Sequence, residues 1–319
     1  MRTALTDLLG VEHPVMLAGM GGVAYAPLVA AVSAAGGFGC LGASTMDDAT
    51  LVEQMAEVRR RTDRPFGVDL LTAMPGDLGR QVALVIEGGA TAFVAGLGVP
   101  AGVVDLCHRH GLLVVSMCGK VAHAERAVAA GCDLVVAQGT EAGGHTGTVA
   151  TFPLVPLVVD AVAPTPVVAA GGIADGRGLA AALALGAVGV WVGTRFIATP
   201  EARAVPGYKE ALLAAGEGAT VVSRAFSGKT MRVLANQVTA HYDQHPEDLE
   251  PFPAQLVRAF RDGSFHLGGD ATTPGVDPSR EGYPAGQVTG ALHELVPAGE
   301  LVQRMVIEAE ETLRRLGAR

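Results

Sequence analysis

Apolar and polar positions along the chain fall into a regular rhythm as far as about residue 192. Short apolar runs, rich in valine and leucine, stand at 14–18, 38–41, 66–70, 92–95, 112–116, 133–137, 167–170 and 189–192. Runs of this length and β-branched content, bounded by glycine or polar turns, predict buried parallel strands. Amphipathic stretches between them predict helices, among them 25–35, stopped by Gly36-Gly37, then 47–61 and 77–87. Eight strands, each followed by a helix or a capped turn, predict a closed (β/α)8 TIM barrel of class α/β rather than an open doubly wound sheet. Beyond the eighth strand the rhythm is lost. Residues 200–274 read as a small, mostly helical lobe, with His241 to Asp248 strongly polar, and the glycines and prolines of 267–284 predict loop. A last amphipathic helix is expected over 298–316, with Leu301, Met305, Ala309 and Leu313 on one stripe. The expected organisation is a barrel over 1–199, a lid lobe over 200–274, and a return segment with a C-terminal helix over 275–319 that packs on the barrel wall.

Composition supports layers of small side chains. Hydrophobic residues make up 49% of the 319, yet aromatics only 4%, so alanine, valine, leucine and 43 glycines fill the interior. The length exceeds the usual limit of about 250–300 residues for one core, which favours one large barrel with an appendage. The net charge of −9 carries no basic cluster beyond Arg59-Arg60-Arg61, at a predicted helix end where cations complement the dipole, which argues against nucleic acid as a partner. Cys40, Cys107, Cys118 and Cys132 match no metal or redox spacing and lie among apolar residues, predicting free buried thiols in a reducing compartment. No apolar run reaches about 18 residues without glycine, proline or charge, and no leader segment is legible, so a cytoplasmic protein without a membrane partner is expected.

Chemistry is expected where the sixth strand runs into Gln138-Gly-Thr-Glu-Ala-Gly-Gly-His-Thr-Gly147. Four glycines in ten residues let the backbone approach a flat ligand closely. His145 then stands in a loop after the carboxyl end of a strand, where barrels carry catalytic groups; a glycine-rich turn with a capping histidine is the structural alternative. Ala170-Gly171-Gly172-Ile-Ala-Asp-Gly176 follows strand seven and Val192-Gly193-Thr194-Arg195 follows strand eight, the two loops between which barrels often hold a phosphate on backbone N–H groups. The other histidines show no metal-ligand spacing, and the four-residue step from His241 to His245 runs into Pro246, so no metal is assigned. Ser116, Ser223 and Ser227 lack a nucleophile-elbow setting. No GxGxxG follows a first strand, so a nicotinamide would share the barrel mouth rather than own a Rossmann domain.

Together, the segments Gln138 to His145, Ala170 to Gly176, Val192 to Phe196 and Pro65-Phe-Gly-Val68 resemble the nitronate monooxygenase (2-nitropropane dioxygenase-like) superfamily over nearly the whole chain. That superfamily also contains FMN-dependent enoyl-ACP and CoA-thioester reductases. The resemblance implies FMN with its phosphate on Gly171, Gly172, Gly193 and Thr194, and the isoalloxazine against Gly19-Met20-Gly21. It further implies Gln138 and Gly144 bordering the flavin, His145 facing the substrate as acid/base, and Gln287 returning over the cofactor within Ala285-Gly286-Gln287. Two positions depart from it. Asp69 stands where the family usually has asparagine, and a carboxylate only accepts hydrogen bonds unless it is protonated. Lys120 stands where many members have an uncharged turn; it faces either flavin and an anionic substrate, or solvent at the start of a helix. The implied activity is oxidation of a nitronate or nitroalkane by O2. The alternative is an NAD(P)H-dependent enoyl-thioester reductase. A non-redox sugar-phosphate lyase or isomerase and a flavin carrier without turnover complete the alternatives. The partner is a small-molecule substrate, joined by NAD(P)H in the reductase reading, and a homodimer is compatible with the sequence.

Overall fold

A computed structural model describes residues 1–72, 77–96, 98–100 and 102–318. The strands are β1 Val15–Leu17, β2 Gly39–Gly42, β3 Phe66–Leu71, β4 Ala92–Gly96, β5 Leu113–Cys118, β6 Leu134–Gln138, β7 Gly144–His145, β8 Val167–Ala170, β9 Gly189–Val192, β10 Thr220–Ser223 and β11 Met231–Leu234. Eight of them form one parallel sheet in the order β1-β9-β8-β6-β5-β4-β3-β2. A parallel bridge between Met16 and Phe38 joins its two ends, with Leu17 N donating to Phe38 O at 2.9 Å and Phe38 N to Val15 O at 2.9 Å. The barrel is therefore closed, and its eight strands are those the apolar runs predict, to within two residues at each end.

The alternation of side chains across the wall separates two apolar layers. On β6, Leu134 and Val136 point into the barrel with Met16, Phe38, Val94, Val115, Val168 and Trp191, whereas Val135 and Ala137 join the layer beneath the helices. All four β6 residues are fully buried, which is why the run is continuous rather than alternating in sequence. The helix Ala4–Leu9 plugs the amino-terminal end, with Leu5 and Leu9 packed into the interior layer. A Cβ on Gly189 would lie 2.4 Å from Leu5 Cδ2, so that glycine is required by the plug. The last helix, Ala298–Gly317, buries Leu301, Met305 and Ala309 and lies so close to the helix Gly176–Ala184 that a Cβ on Gly176 would fall 2.3 Å from Met305 O. All four cysteines are buried and unpaired.

The segment after β9 contains the helices Tyr208–Ala214, Gln237–Gln244 and Ala254–Arg261, as the helical reading anticipates, and a hairpin that it missed. β10 and β11 pair antiparallel, with Val221 opposite Val233, and β7 adds a third antiparallel strand through Met231–His145 and Arg232–Gly144. Strands of four and two residues carry too little periodicity to be read locally; they exist because the hairpin meets the glycine loop. The lobe has its own apolar cluster of Phe226, Met231, Val233, Tyr242, Ala259 and Phe265. It is fastened to the barrel by Arg203, which donates to Gly269 O at 3.1 Å and Gly268 O at 3.0 Å while lying over the Tyr25 ring. Tyr208 and Tyr283 stack at 4.7 Å and donate to Pro284 O and Pro206 O.

Because Leu5 is fully buried against a wall that cannot collapse onto it, Leu5→Ala is expected to cost about 2–5 kcal/mol of unfolding free energy. Urea titration should show a lower midpoint at unchanged slope. An unchanged midpoint would mean that the plug is dispensable.

Candidate functional site

The ten-residue loop after β6 is held at both ends by groups that its own sequence supplies. Glu141 turns outward, accepting from Thr151 N at 2.9 and 3.0 Å and from Thr151 Oγ1 at 2.8 Å, which caps the helix Thr151–Val162 from a distance. Gly139 lies against that cap: a Cβ there would sit 2.0 Å from Thr151 Oγ1. Arg232, buried on β11, donates from Nε to Thr140 O at 2.8 Å and from Nη1 to Thr220 Oγ1 at 3.2 Å. Gln138 Nε2 donates to His145 O at 2.7 Å. Gly144 has φ +73°, and nothing lies within 4 Å of where its Cβ would point, so this stretch presents bare backbone to the mouth.

His145 is fixed through its ring. Its Nε2 lies 3.1 Å from Ser227 Oγ, and Ser227 is 1% exposed. The Ser227 hydroxyl donates to Lys229 O at 3.2 Å and accepts from Lys229 N at 3.2 Å. A hydroxyl has one hydrogen and two lone pairs, so with its hydrogen on Lys229 O it can only accept from the imidazole. With the hydroxyl hydrogen on Lys229 O, the imidazole hydrogen would sit on Nε2 and leave Nδ1 with a free lone pair. Burial first, and the nearby Lys229 ammonium second, hold the His145 pKa below its ordinary value. At neutral pH the side chain is thus an uncharged proton acceptor.

Lys120, Gln138, His145, Thr146, Arg224 and Lys229 line one cavity of about 730 Å³. Lys120 is the exposed N-cap residue of the helix Val121–Ala129 and lines this cavity. The remaining sequence-predicted residues lie outside this cavity's lining. Gly171 and Gly172 have φ +97° and +73°, and Thr194 opens the short helix Thr194–Ile197. The N–H groups of Gly172, Ile173 and Thr194 donate to no acceptor among the described residues. Ala18 N donates to Val192 O, which brings Met20 to within 3.4 Å of a Cβ on Gly193. Gly19 and Gly21 are required by packing, since their Cβ atoms would lie 2.2 Å from Asp69 Cβ and 2.3 Å from Ser44 Oγ. The late segment arrives through Gly286 N on Thr194 Oγ1 at 2.9 Å and Gln287 N on Glu141 O at 2.9 Å, leaving the Gln287 side chain exposed.

The half-buried Asp69 side chain makes no hydrogen bond and no ion pair among the described residues, and desolvation pushes its carboxyl up to about 8. At pH 7 it is mostly protonated, so it can donate as well as accept, as an asparagine amide would. The thiol of Cys40 is likewise pushed up, by burial first and then by Asp69.

Sequence reasoning missed Ser227, Lys229, Arg224 and Arg232, all supplied by the hairpin. The available signal was two short β-branched or apolar runs, Thr220-Val-Val-Ser and Met231-Arg-Val-Leu, flanking Phe226-Ser-Gly-Lys-Thr230.

The chain belongs to the nitronate monooxygenase family, whose model matches residues 2–79 and 72–308. FabK from Thermotoga maritima has a solved structure that superposes with a TM-score of 0.89 at 35% identity, covering 100% of this chain and 99% of that one. Nitroalkane oxidase from Streptomyces ansochromogenes superposes with a TM-score of 0.84 at 30% identity, covering 98% and 100%. A (3aS,4S,5R,7aS)-5-hydroxy-7a-methyl-1-oxo-octahydro-1H-indene-4-carboxyl-CoA dehydrogenase of Mycobacterium tuberculosis is 37% identical over 352 residues, covering 100% of this chain and 99% of its own. The protein is an oxidoreductase of a family of flavin enzymes, which sets aside the sugar-phosphate lyase and the carrier without turnover. No helix among the described residues is long and apolar enough to cross a membrane.

Protonated Asp69 favours the folded state below its unfolded value of 3.8, and that contribution is lost as pH rises towards its folded value of about 8. Asp69→Asn cannot ionise, so its melting temperature should match the wild type near pH 4 and exceed it by about 3 °C or more at pH 8. A gap that does not widen with pH would show that Asp69 ionises freely in the fold.

Proposed function

We propose that this member of the family binds FMN across the barrel mouth and uses His145 as the acid/base group for a carbon-acid substrate. The observation that carries the reading is the neutral His145, its Nδ1 free and its Nε2 fixed on Ser227, in a cavity that also holds the Lys120 and Lys229 cations. The residues present suit the cofactor. The unpartnered N–H groups of Gly172, Ile173 and Thr194 suit its phosphate. Gly171 and Gly193 keep those loops free of side chains. Bare backbone at Gly144, with Gly19, Met20, Gly21, Gln138 and Gln287 around the same rim, suits a flat ring. Asp69, protonated, would contribute both a donor and an acceptor to a ring edge. Lys120 would supply positive charge. When bound, FMN supplies the two-electron redox chemistry.

In the first reading the substrate is a nitroalkane or its nitronate, with O2 as oxidant. His145 Nδ1 takes the proton alpha to the nitro group, and Lys120 and Lys229 offset the negative charge that develops on the nitro oxygens. Ser227 keeps the imidazole in the tautomer that leaves Nδ1 available. A second reading, reduction of an enoyl thioester with NAD(P)H as reductant, is favoured by the cavity volume and by the carboxyl-CoA substrate named for the mycobacterial relative. There His145 would deliver the proton that completes saturation beside the thioester carbonyl. The lobe over 200–274 would act as lid, since its hairpin carries Ser227 and Lys229 to the mouth; exchanging the hairpin tip should alter substrate range at constant flavin content. The reducing cytoplasm is the expected compartment.

Acid extraction should recover FMN, and recovery of FAD alone or of no flavin would refute the cofactor assignment. Anaerobic mixing with NADH or NADPH, then with air, a nitronate or an enoyl thioester, separates the two readings by which pair bleaches and restores the flavin colour. His145→Ala is expected to retain FMN and lose about 10²- to 10⁴-fold in turnover on a neutral nitroalkane, and less on the preformed nitronate. Equal losses on both forms would assign His145 to binding. In the wild type, turnover on the neutral form should fall on the acid side of the ordinary histidine value, because protonation removes the acceptor.

A further inference from the structure

Two segments from the chain beyond β9 lie on the loops at the barrel mouth. Residues 266–269 rest on the loops after β1 and β2: a Cβ on Gly22 would fall 2.6 Å from Gly268 N, and one on Gly268 would fall 3.5 Å from Thr45 Cβ. Residues 283–287 rest on the loops after β6 and β9, through Gln287 N on Glu141 O and Gly286 N on Thr194 Oγ1, both at 2.9 Å. If FMN binds as proposed, the first segment abuts its ring end, at Gly19 to Gly21, and the second abuts its phosphate end, at Thr194. The chain between them, 267–280, is a largely exposed excursion of the Ω-loop kind, whose ends have to be held together.

One buried side chain joins those ends. Glu281 is 1% exposed, and among the described residues neither lysine nor arginine pairs with it. One of its carboxyl oxygens accepts from His266 N at 2.7 Å, and the other lies 2.7 Å from His266 Nδ1. Two contacts to one residue fix the carboxyl in orientation as well as position. The adjoining backbone repeats the tie, since Gly282 N donates to Ser264 O at 2.8 Å and Asn236 Nδ2 donates to Glu281 O at 2.8 Å. The nearby phenols are engaged elsewhere, on Pro284 O and Pro206 O. A buried pair of this kind adds little net stability over an apolar contact of the same size. It does fail as a unit, because removing either partner leaves the other buried without a hydrogen bond.

We propose that Glu281 and His266 form a clasp, which joins the segment on the loops after β1 and β2 to the segment on the loops after β6 and β9. The two then open and close over the mouth as one strap spanning 264–287. Release of the clasp frees both ends of the bound cofactor together; with the clasp closed, each end is covered by a segment that cannot lift without the other. The clasp itself is independent of the FMN reading, on which only the identity of the retained ligand rests.

The test compares amide hydrogen exchange and flavin release in the full-length protein, in Glu281→Gln, in His266→Asn and in the double variant. Gln keeps the volume of Glu281, and His266, with its side chain 22% exposed, tolerates replacement should the buried position fail to fold. Each single variant is expected to exchange about tenfold faster over 264–287, with β3, β4 and β5 unchanged. Each should also release FMN about tenfold faster on dilution, followed by the fluorescence of free flavin. The double variant should go no further than either single one, because both substitutions break the same joint. Additive effects, or exchange over 264–287 as slow as in the wild type, would show that the pair does not hold the strap. Faster exchange at an unchanged rate of flavin release would show that the strap does not retain the cofactor. If the wild type carries no flavin, the FMN assignment fails on its own, and exchange in the unloaded protein still decides the clasp.

Discussion

Two backbone pairings, Met231 with His145 and Arg232 with Gly144, hold the site together. Without them the loop after β6 would be a glycine-rich segment with little to fix its path, and its imidazole would have no fixed direction. With them, the ring meets Ser227, the Thr140 carbonyl meets Arg232, and the cavity acquires its second wall. The pairing needs φ +73° at Gly144, where any side chain would be strained and would also stand in the mouth. The barrel contributes the position of His145. The lobe contributes its tautomer and its electrostatic surroundings.

The barrel was legible because its signals are local and redundant. Most strands are runs of buried Val, Leu or Ala, and several crossovers announce themselves through a glycine stop or an acidic cap such as Asp47, which accepts from Thr50 N. The positions of the two glycine loops could be read for the same reason, since they follow the seventh and eighth barrel strands directly. The hairpin was not legible in this way: β10 and β11 are four residues each, Val222 is exposed, and their stability comes from the Phe226 and Tyr242 cluster and from a strand partner 86 positions away in sequence at Met231–His145. Ser227 was dismissed for want of a nucleophile setting, which was the correct chemistry and the wrong question. Its function is to accept a hydrogen bond.

The two carboxyl-bearing side chains near the mouth show how burial decides chemistry. Glu141, supplied with two donors from Thr151, serves as a helix cap. Asp69, given none, is pushed up to about 8 by desolvation, so near pH 7 its carboxyl can donate a hydrogen bond as well as accept one.

The lobe's separate apolar cluster carries an evolutionary implication. Phe226, Tyr242 and Phe265 pack with one another, not with the barrel interior. Their identities can drift together without disturbing Met16, Phe38 or Trp191. A lineage could then replace the hairpin tip that bears Arg224 and Lys229 while inheriting the barrel intact. In such an architecture, diversification of ligand preference is uncoupled from preservation of the scaffold.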